Sequence, residues 1–221
     1  MQHAFQPIVD LHTGQPIGFE ALARFPDGRG PMDVLRGLTL LGPEALRVFD
    51  RESVASAVAA AKAFLPPDTP LFLNLTAATV AAVLDGEPLP DTAGLPVVWE
   101  LVENEATFRL LSHPGALGSL TTSAAIALDD VGEGSADLRR LAMGFRDGVR
   151  WIKIARSLIH GCADDPGKQA VLRLVVRLGV AAIAEGVERP EDLCALEEIG
   201  IRFVQGYATG RPQIVHVGSL R

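Results

Sequence analysis

HAFQPIVDLHTGQPIGFEALAR, residues 3–24, holds two apolar, partly alternating runs, 3–10 and 16–24, separated by only LHTGQ. A parallel crossover takes about a dozen residues or more, so these two strands are expected to pair as an antiparallel hairpin with Gly14 in its turn. Further short apolar runs recur at 70–75, 96–102, 124–130, 149–155, 180–186 and 201–207, which makes eight candidate strands. Stretches with helical periodicity fill several of the intervals, at 44–65, 165–178 and 190–199. In the last of these, Pro190 suits the first turn and Gly200 the left-handed position just past the end. Alternating strands and helices imply parallel crossovers, and eight such units imply an α/β barrel rather than an open sheet. The expected fold is therefore an eight-stranded α/β barrel with an antiparallel first strand. No composition shift, low-complexity tract or repeat interrupts it, so residues 1–221 read as a single domain.

Composition narrows the partners. With 27 acidic and 20 basic side chains the net charge is −7, and no Lys/Arg cluster offers a footprint for a nucleic-acid polymer. The two cysteines, Cys162 and Cys194, form no C-x-x-C pair and no disulfide framework, which suits a reducing compartment. The longest apolar stretch, 171–184, contains Arg173 and Arg177 and falls short of the ~20 residues of a membrane-spanning helix. The N-terminus lacks the basic-then-apolar order of a secretory signal, so the expected location is the cytoplasm, away from the membrane. The first strand starts almost at residue 1, which also suits one domain of a longer chain.

In a barrel of this kind chemistry gathers where strands end. Glu20, Asn74, Glu100, Asp129, Asp130, Lys153, Glu185 and Gln205 all lie late in, or at the end of, an apolar run. A carboxylate left alone in such a setting costs several kcal/mol or takes up a proton. Five of them at one mouth call for cations between them, and carboxylate and amide oxygens favour hard Mg²⁺ or Mn²⁺. The adjacent pair Asp129-Asp130 suits two ions, one carboxylate bridging and its neighbour binding only the second. Lys153 would polarise a metal-bound water or neutralise phosphate charge, and Arg24 could clamp a phosphate oxygen. Singly, each residue has a plainer role: Glu20 or Glu100 paired with an arginine, Asn74 and Thr76 in a turn or cap, Glu103 as support, Glu188 in a solvated helix start. The five histidines show no ligand spacing and are read as structural or surface groups.

FQPIVDLHTGQPIGFEALARF, FLNLT, WELVENE, ALDDVGEG, IKIA, AIAEGVE and QGYATGRP, in that order across nearly the whole chain, resemble the EAL domain family. The resemblance implies a TIM-like eight-stranded barrel with an antiparallel first strand, and hydrolysis of cyclic di-GMP to linear pGpG with two Mg²⁺ or Mn²⁺ ions. It implies that Glu20, Asn74, Glu100 and Asp129 hold one ion, and Asp129, Asp130 and Glu185 the other. Lys153 would contact the attacking water and Gln205 position it, with Asp130 and Glu185 also in the catalytic set. Gln6 and Arg24 would contact substrate, and Glu103 and Glu188 match supporting acids. A homodimer pairing near the loop after the aspartates is implied as well.

The sequence departs from the family pattern at several points. The usual Phe-Gly-Thr/Ala-Gly-Tyr after the aspartates is replaced by Val131-Gly132-Glu133-Gly134-Ser135, and Lys-Ile-Asp by Lys153-Ile154-Ala155. Thr209 stands where a large apolar residue is customary, and the segment after Arg24 is short. Two functional classes follow: a metal-dependent phosphodiesterase, or a weakly active or inactive cyclic di-GMP receptor that signals to a partner protein.

Overall fold

β1 (Gln2–Asp10) turns straight back into β2 (Gln15–Arg24), pairing antiparallel from Gln2 opposite Arg24 to Asp10 opposite Gln15. The turn closes through the Gly14 N–H, which donates to the Asp10 carbonyl at 2.8 Å with Gly14 at φ 66°. This computed structural model describes residues 1–102, 125–132 and 149–215. After the hairpin come α1 (Pro31–Leu41), α2 (Pro43–Ala61), β3 (Leu71–Leu75), α3 (Ala77–Leu84), β4 (Val97–Val102), β5 (Ala125–Val131) and β6 (Val149–Ile154). Then follow α4 (Arg156–Ile159), α5 (Pro166–Arg177), β7 (Ala181–Ala184), α6 (Pro190–Ile199), β8 (Phe203–Val204) and β9 (Gln213–Ile214).

β2 to β8 pair in sequence order, all parallel, and β8 closes the ring by pairing antiparallel with β1 at Val9–Val204 and Asp10–Phe203. The result is the expected TIM-like barrel with its first strand reversed. At the closing seam Arg202 grips Asp10 with two hydrogen bonds, of 3.0 and 2.6 Å, and this hydrogen bonding holds the Asp10 carboxyl down at about 2. None of the described helices is long and apolar enough to cross a membrane.

The structure differs from the sequence reading in three places. The helix expected over 44–65 ends at Ala61, and a separate α1 precedes it, split off by Gly42 at φ 102° and restarted by Pro43. β8 keeps only two ladder residues, because from Gln205 on the chain crosses the main chain of Val187 so closely that a Cβ on Gly206 would sit 2.2 Å from the Val187 carbonyl oxygen. β9, a two-residue exposed strand on the far side of β1, has no apolar pattern to announce it.

Period-two alternation splits the buried residues into two layers. Outward-facing Leu71, Leu73, Trp99, Ile152 and Ile154 pack with Val54, Ala57, Leu172 and Leu196 of the helices. Burying each large apolar side chain of this kind contributes about 1.5–3 kcal/mol. Inward-facing Ile8, Phe72, Val98, Ala127 and Ile183 plug the barrel, with Trp151 edge-on to Phe72 and Phe203 at 5.9 and 5.1 Å. Phe72 fits because position 18 is glycine: a Cβ there would lie 2.8 Å from the Pro70 carbonyl oxygen and 2.9 Å from the Phe72 ring. Gly18→Ala is expected to lower stability by about 1–3 kcal/mol in urea denaturation. An unchanged midpoint would contradict this packing.

His3 is buried between β1 and α2, with Nε2 3.1 Å from the Ser53 hydroxyl oxygen and Nδ1 without a hydrogen-bond partner. Burial, helped by the positive charges of the amino terminus and Arg24, lowers its pKa to about 4. As pH falls, the unfolded chain takes up this proton first. The stability tied to neutral His3 is intact above about pH 6.5 and is lost towards pH 4, by roughly 3 kcal/mol at most. His3→Gln is expected to flatten the acid limb of unfolding free energy against pH; parallel acid limbs for both proteins would refute the assignment.

Candidate functional site

One residue step along each strand organises the site. Two positions beyond the plug residues Gly18, Phe72, Val98, Ala127, Trp151, Ile183 and Phe203 stand Glu20, Asn74, Glu100, Asp129, Lys153, Glu185 and Gln205. On the reversed β1 the step runs backwards, from Ile8 to Gln6. Side chains two apart share a face, so a ring of polar groups lies directly above the apolar plug at the carboxyl ends of the parallel strands. Exposure rises across the ring. Glu100 and Lys153 are fully buried at its floor, Glu20, Asp129, Gln6 and Gln205 are buried, Asp130 and Glu185 are partly open, and Asn74 is exposed.

Consecutive Asp129 and Asp130 would point to opposite faces of a regular strand. Here the β5–β6 register shifts between Leu128 and Val131, and Asp130 adopts φ 57°. This bulge, with its left-handed non-glycine residue, turns the second carboxylate back to the mouth. Carboxylate oxygens of Asp129, Asp130 and Glu185 lie within 4.8 Å of one another.

Lys153 sits at the centre. Its Nζ lies 2.7 Å from Glu100, 2.8 Å from Glu185, 3.1 Å from Asp129 and 3.2 Å from Glu20. Asn74 Nδ2 donates to Glu20 at 3.2 Å and Glu100 at 3.0 Å. Gln205 Nε2 donates to Glu20 at 2.6 Å and to Gln6 Oε1 at 3.3 Å, while Gln6 Nε2 is anchored on the Gly210 carbonyl at 3.0 Å. One ammonium cannot neutralise four carboxylates, and the protonation tendencies reflect this. Burial, reinforced by the Glu20 charge, lifts Glu100 well above the usual carboxylate range. Burial likewise raises Asp129 and takes Glu185 to about 8, against the pull of Lys153. Glu20 is also penalised by burial, yet the Lys153 charge and the Gln205 hydrogen bond outweigh it and hold it low. Burial works against the Lys153 charge too, but Glu100, Glu20, Asp129 and Glu185 together raise it well above an ordinary lysine. Among the described residues, Glu100 Oε1 and Asp129 Oδ1 meet no donor other than the ammonium, at 2.7 and 3.1 Å.

The remaining expected residues lie around this ring. Arg24, about 13 Å further along the same strand face as Glu20, donates to the Ala23 carbonyl at 2.9 Å rather than joining the Lys153 cluster. Glu188 pairs with Arg156 at 2.9 Å on the rim. Glu103 and positions 133–137 fall outside the described residues. Among the described residues, two cavities border the ring. One, of about 390 Å³, lies between the ends of β2 and β3 and helices α1 and α2, with Leu22, Met32, Phe49, Asn74 and Asp130 on its walls. The other, of about 200 Å³, lies on the β7–β8 side and is bounded by Glu20, Arg156, Glu185, Gln205 and Tyr207.

Asp50 and Arg156 carry no sequence signal, since their partners lie 26 to 32 residues away or more. Asp50 reaches from α2 to the start of α3, accepting from the Thr76 N–H at 2.9 Å and from the Thr76 and Thr79 hydroxyls at 2.7 and 2.6 Å. Thr76 stands at the N-cap of α3 as expected but makes no side-chain cap hydrogen bond; Asp50 instead pins it, two residues beyond Asn74.

A protein-family model described as EAL domain matches residues 120–212. The probable cyclic di-GMP phosphodiesterase PdeN of Escherichia coli K12 is 29% identical over 232 residues, 95% of this chain and 43% of PdeN. The blue light- and temperature-regulated antirepressor BluF of the same organism is 28% identical over 229 residues, 98% of this chain and 55% of BluF. Among solved structures, the manganese/cyclic di-GMP complex of Klebsiella pneumoniae BlrP1 at pH 9.0 matches with a TM-score of 0.78 and 30% identity, covering 96% of this chain and 56% of that one. The chain thus spans about half the length of these relatives. Barrel, carboxylate ring and these likenesses define one class: the chain belongs to the EAL domain family.

Asp50→Ala is expected to cost roughly 2–4 kcal/mol in thermal denaturation, because three donors lose a shared buried acceptor. A loss below about 0.5 kcal/mol, the usual scatter of surface substitutions, would remove Asp50 from this account.

Proposed function

We propose that this chain hydrolyses cyclic di-GMP to linear pGpG with the help of two divalent ions, Mg²⁺ or Mn²⁺, acting as one domain in the cytoplasm. The observation that carries the reading is the ring itself, to which each of the eight strands contributes a polar side chain one inward step above the apolar plug. An all-oxygen donor set, four buried or half-buried carboxylates sharing a single ammonium, and three carboxylates within 4.8 Å of one another fit hard cations. Glu20, Asn74, Glu100 and Asp129 would hold one ion, with the Asn74 amide turned to present Oδ1. Asp129, Asp130 and Glu185 would hold the other. Ions of this kind lower the pKa of bound water and polarise phosphoryl oxygens when present.

The chain's own residues do the rest. Gln205 fixes the orientation of Glu20 and would position the attacking water. Lys153 brings positive charge to that water and to the phosphoryl oxygens. Gln6 would contact the substrate, and Arg24 would exchange the Ala23 carbonyl for a phosphate oxygen. Glu188 holds Arg156 over the β7–β8 cavity, and Glu103 is assigned a supporting role. A cyclic dinucleotide presents bases on either side of its phosphates, which suits a ring with cavities on both its α1–α2 and its β7–β8 side. The name of PdeN and the ligand in the BlrP1 complex support the same substrate.

A second reading, a receptor that binds cyclic di-GMP with little turnover, draws support from Ala155 beside Lys153 and from the antirepressor name of BluF. Incubation with cyclic di-GMP and Mn²⁺ followed by chromatography separates the two. Formation of pGpG, abolished by Glu20→Ala, is expected; binding without product would favour the receptor. Asp130→Asn is expected to lower kcat by on the order of 10² or more while changing affinity much less, and equal losses in both would contradict its role.

A further inference from the structure

The carboxylate ring already holds a cation. Lys153 Nζ, on a side chain 1% exposed, lies within 3.2 Å of oxygens from Glu20, Glu100, Asp129 and Glu185. We propose that the Lys153 ammonium and a divalent ion are alternative occupants of this oxygen cage, so that metal loading displaces the lysine head and Lys153 sets both the metal affinity and the stability of the metal-free barrel. The inference rests on the metal reading above and goes beyond it, because it assigns Lys153 a function before any substrate arrives.

Three observations carry it. First, the four carboxylates that meet the ammonium include Glu20, Glu100 and Asp129, three of the four residues assigned to one ion, so the two cations compete for the same carboxylates. Second, the ammonium fits the cage incompletely. Its three N–H donors face four carboxylates at 2.7 to 3.2 Å, so one ammonium cannot give each of them its own hydrogen bond. A divalent ion takes six or more oxygens without directional N–H geometry, so it can use the acceptors the lysine leaves unsatisfied. Third, open space adjoins the cage. The lysine stem has four rotatable carbons, and the cavity of about 200 Å³ walled by Glu20, Glu185 and Gln205 opens on the side of the neighbouring strand β7. Without any cation the cage would place four carboxylates together in a buried site, where mutual repulsion opposes folding. Lys153 is therefore a placeholder that keeps the metal-free barrel closed, and its positive charge is also a competitor that the incoming ion must overcome.

The test uses the full chain stripped with a chelator, as wild type, Lys153→Met and Lys153→Arg. Melting temperature is followed without metal and with Mn²⁺, and Mn²⁺ affinity is measured by calorimetry or electron paramagnetic resonance. Lys153→Met is expected to melt lower than wild type without metal, to gain more from Mn²⁺, and to bind Mn²⁺ at least ten-fold more tightly. Lys153→Arg, which keeps the charge, is expected to retain the weaker affinity. Unchanged or weaker Mn²⁺ binding by Lys153→Met overturns the proposal while leaving the metal reading standing. Absence of Mn²⁺ binding by wild type overturns both. Should Lys153→Met fail to fold without metal, ¹⁵N-lysine spectra of the wild type decide: saturation with Mg²⁺ is expected to shift the Lys153 Nζ resonance, and an unmoved resonance refutes displacement.

Discussion

Four carboxylates and one ammonium share a volume a few ångströms across at the mouth of the barrel, and the charge among them does not balance. Water is largely excluded at the floor, where Glu100 and Lys153 are buried, so the imbalance is not screened away. Protons relieve part of it, as the raised Glu100 and Glu185 indicate, and cations would relieve the rest. Much of the surrounding structure serves to hold these like charges in place. The apolar plug under the ring fixes its depth, the β5 bulge adds a further carboxylate, and the Gly210–Gln6–Gln205–Glu20 chain of hydrogen bonds locks one wall.

The same two-residue spacing that makes the barrel also makes the site. Where an inward position lies one step deeper it is Phe72, Val98 or Ile183; one step nearer the mouth it is Asn74, Glu100 or Glu185. A register slip of a single residue would bury carboxylates against the outer helices and expose the plug. Fold and site are thus specified by one pattern, and the reversed β1 obeys it in the opposite direction with Ile8 below Gln6.

Much of this was legible in the sequence, for reasons that can be stated. LHTGQ is too short for any connection but a hairpin, and carboxylates set in VVWELV and AIALDD stand out against their apolar neighbours, so the barrel and its ring were both readable. Other features were not. The separation of α1 from α2 depends on Gly42 and Pro43 overriding a helical pattern that continues on both sides. Asp50 looks like any polar residue of an amphipathic helix until α3 is placed against it. The position of Lys153 at the centre of the ring, rather than beside it, depends on three-dimensional distances that no spacing encodes.

On the proposed function, the ring holds paired divalent ions. Anomalous diffraction at the manganese edge, from crystals of the chain grown with Mn²⁺, tests it most directly. The account predicts two peaks, one bounded by Glu20, Asn74, Glu100 and Asp129 and one by Asp129, Asp130 and Glu185, with the Lys153 head moved out of the cage. A difference map with no peak at the mouth, and Lys153 still touching all four carboxylates, would contradict it.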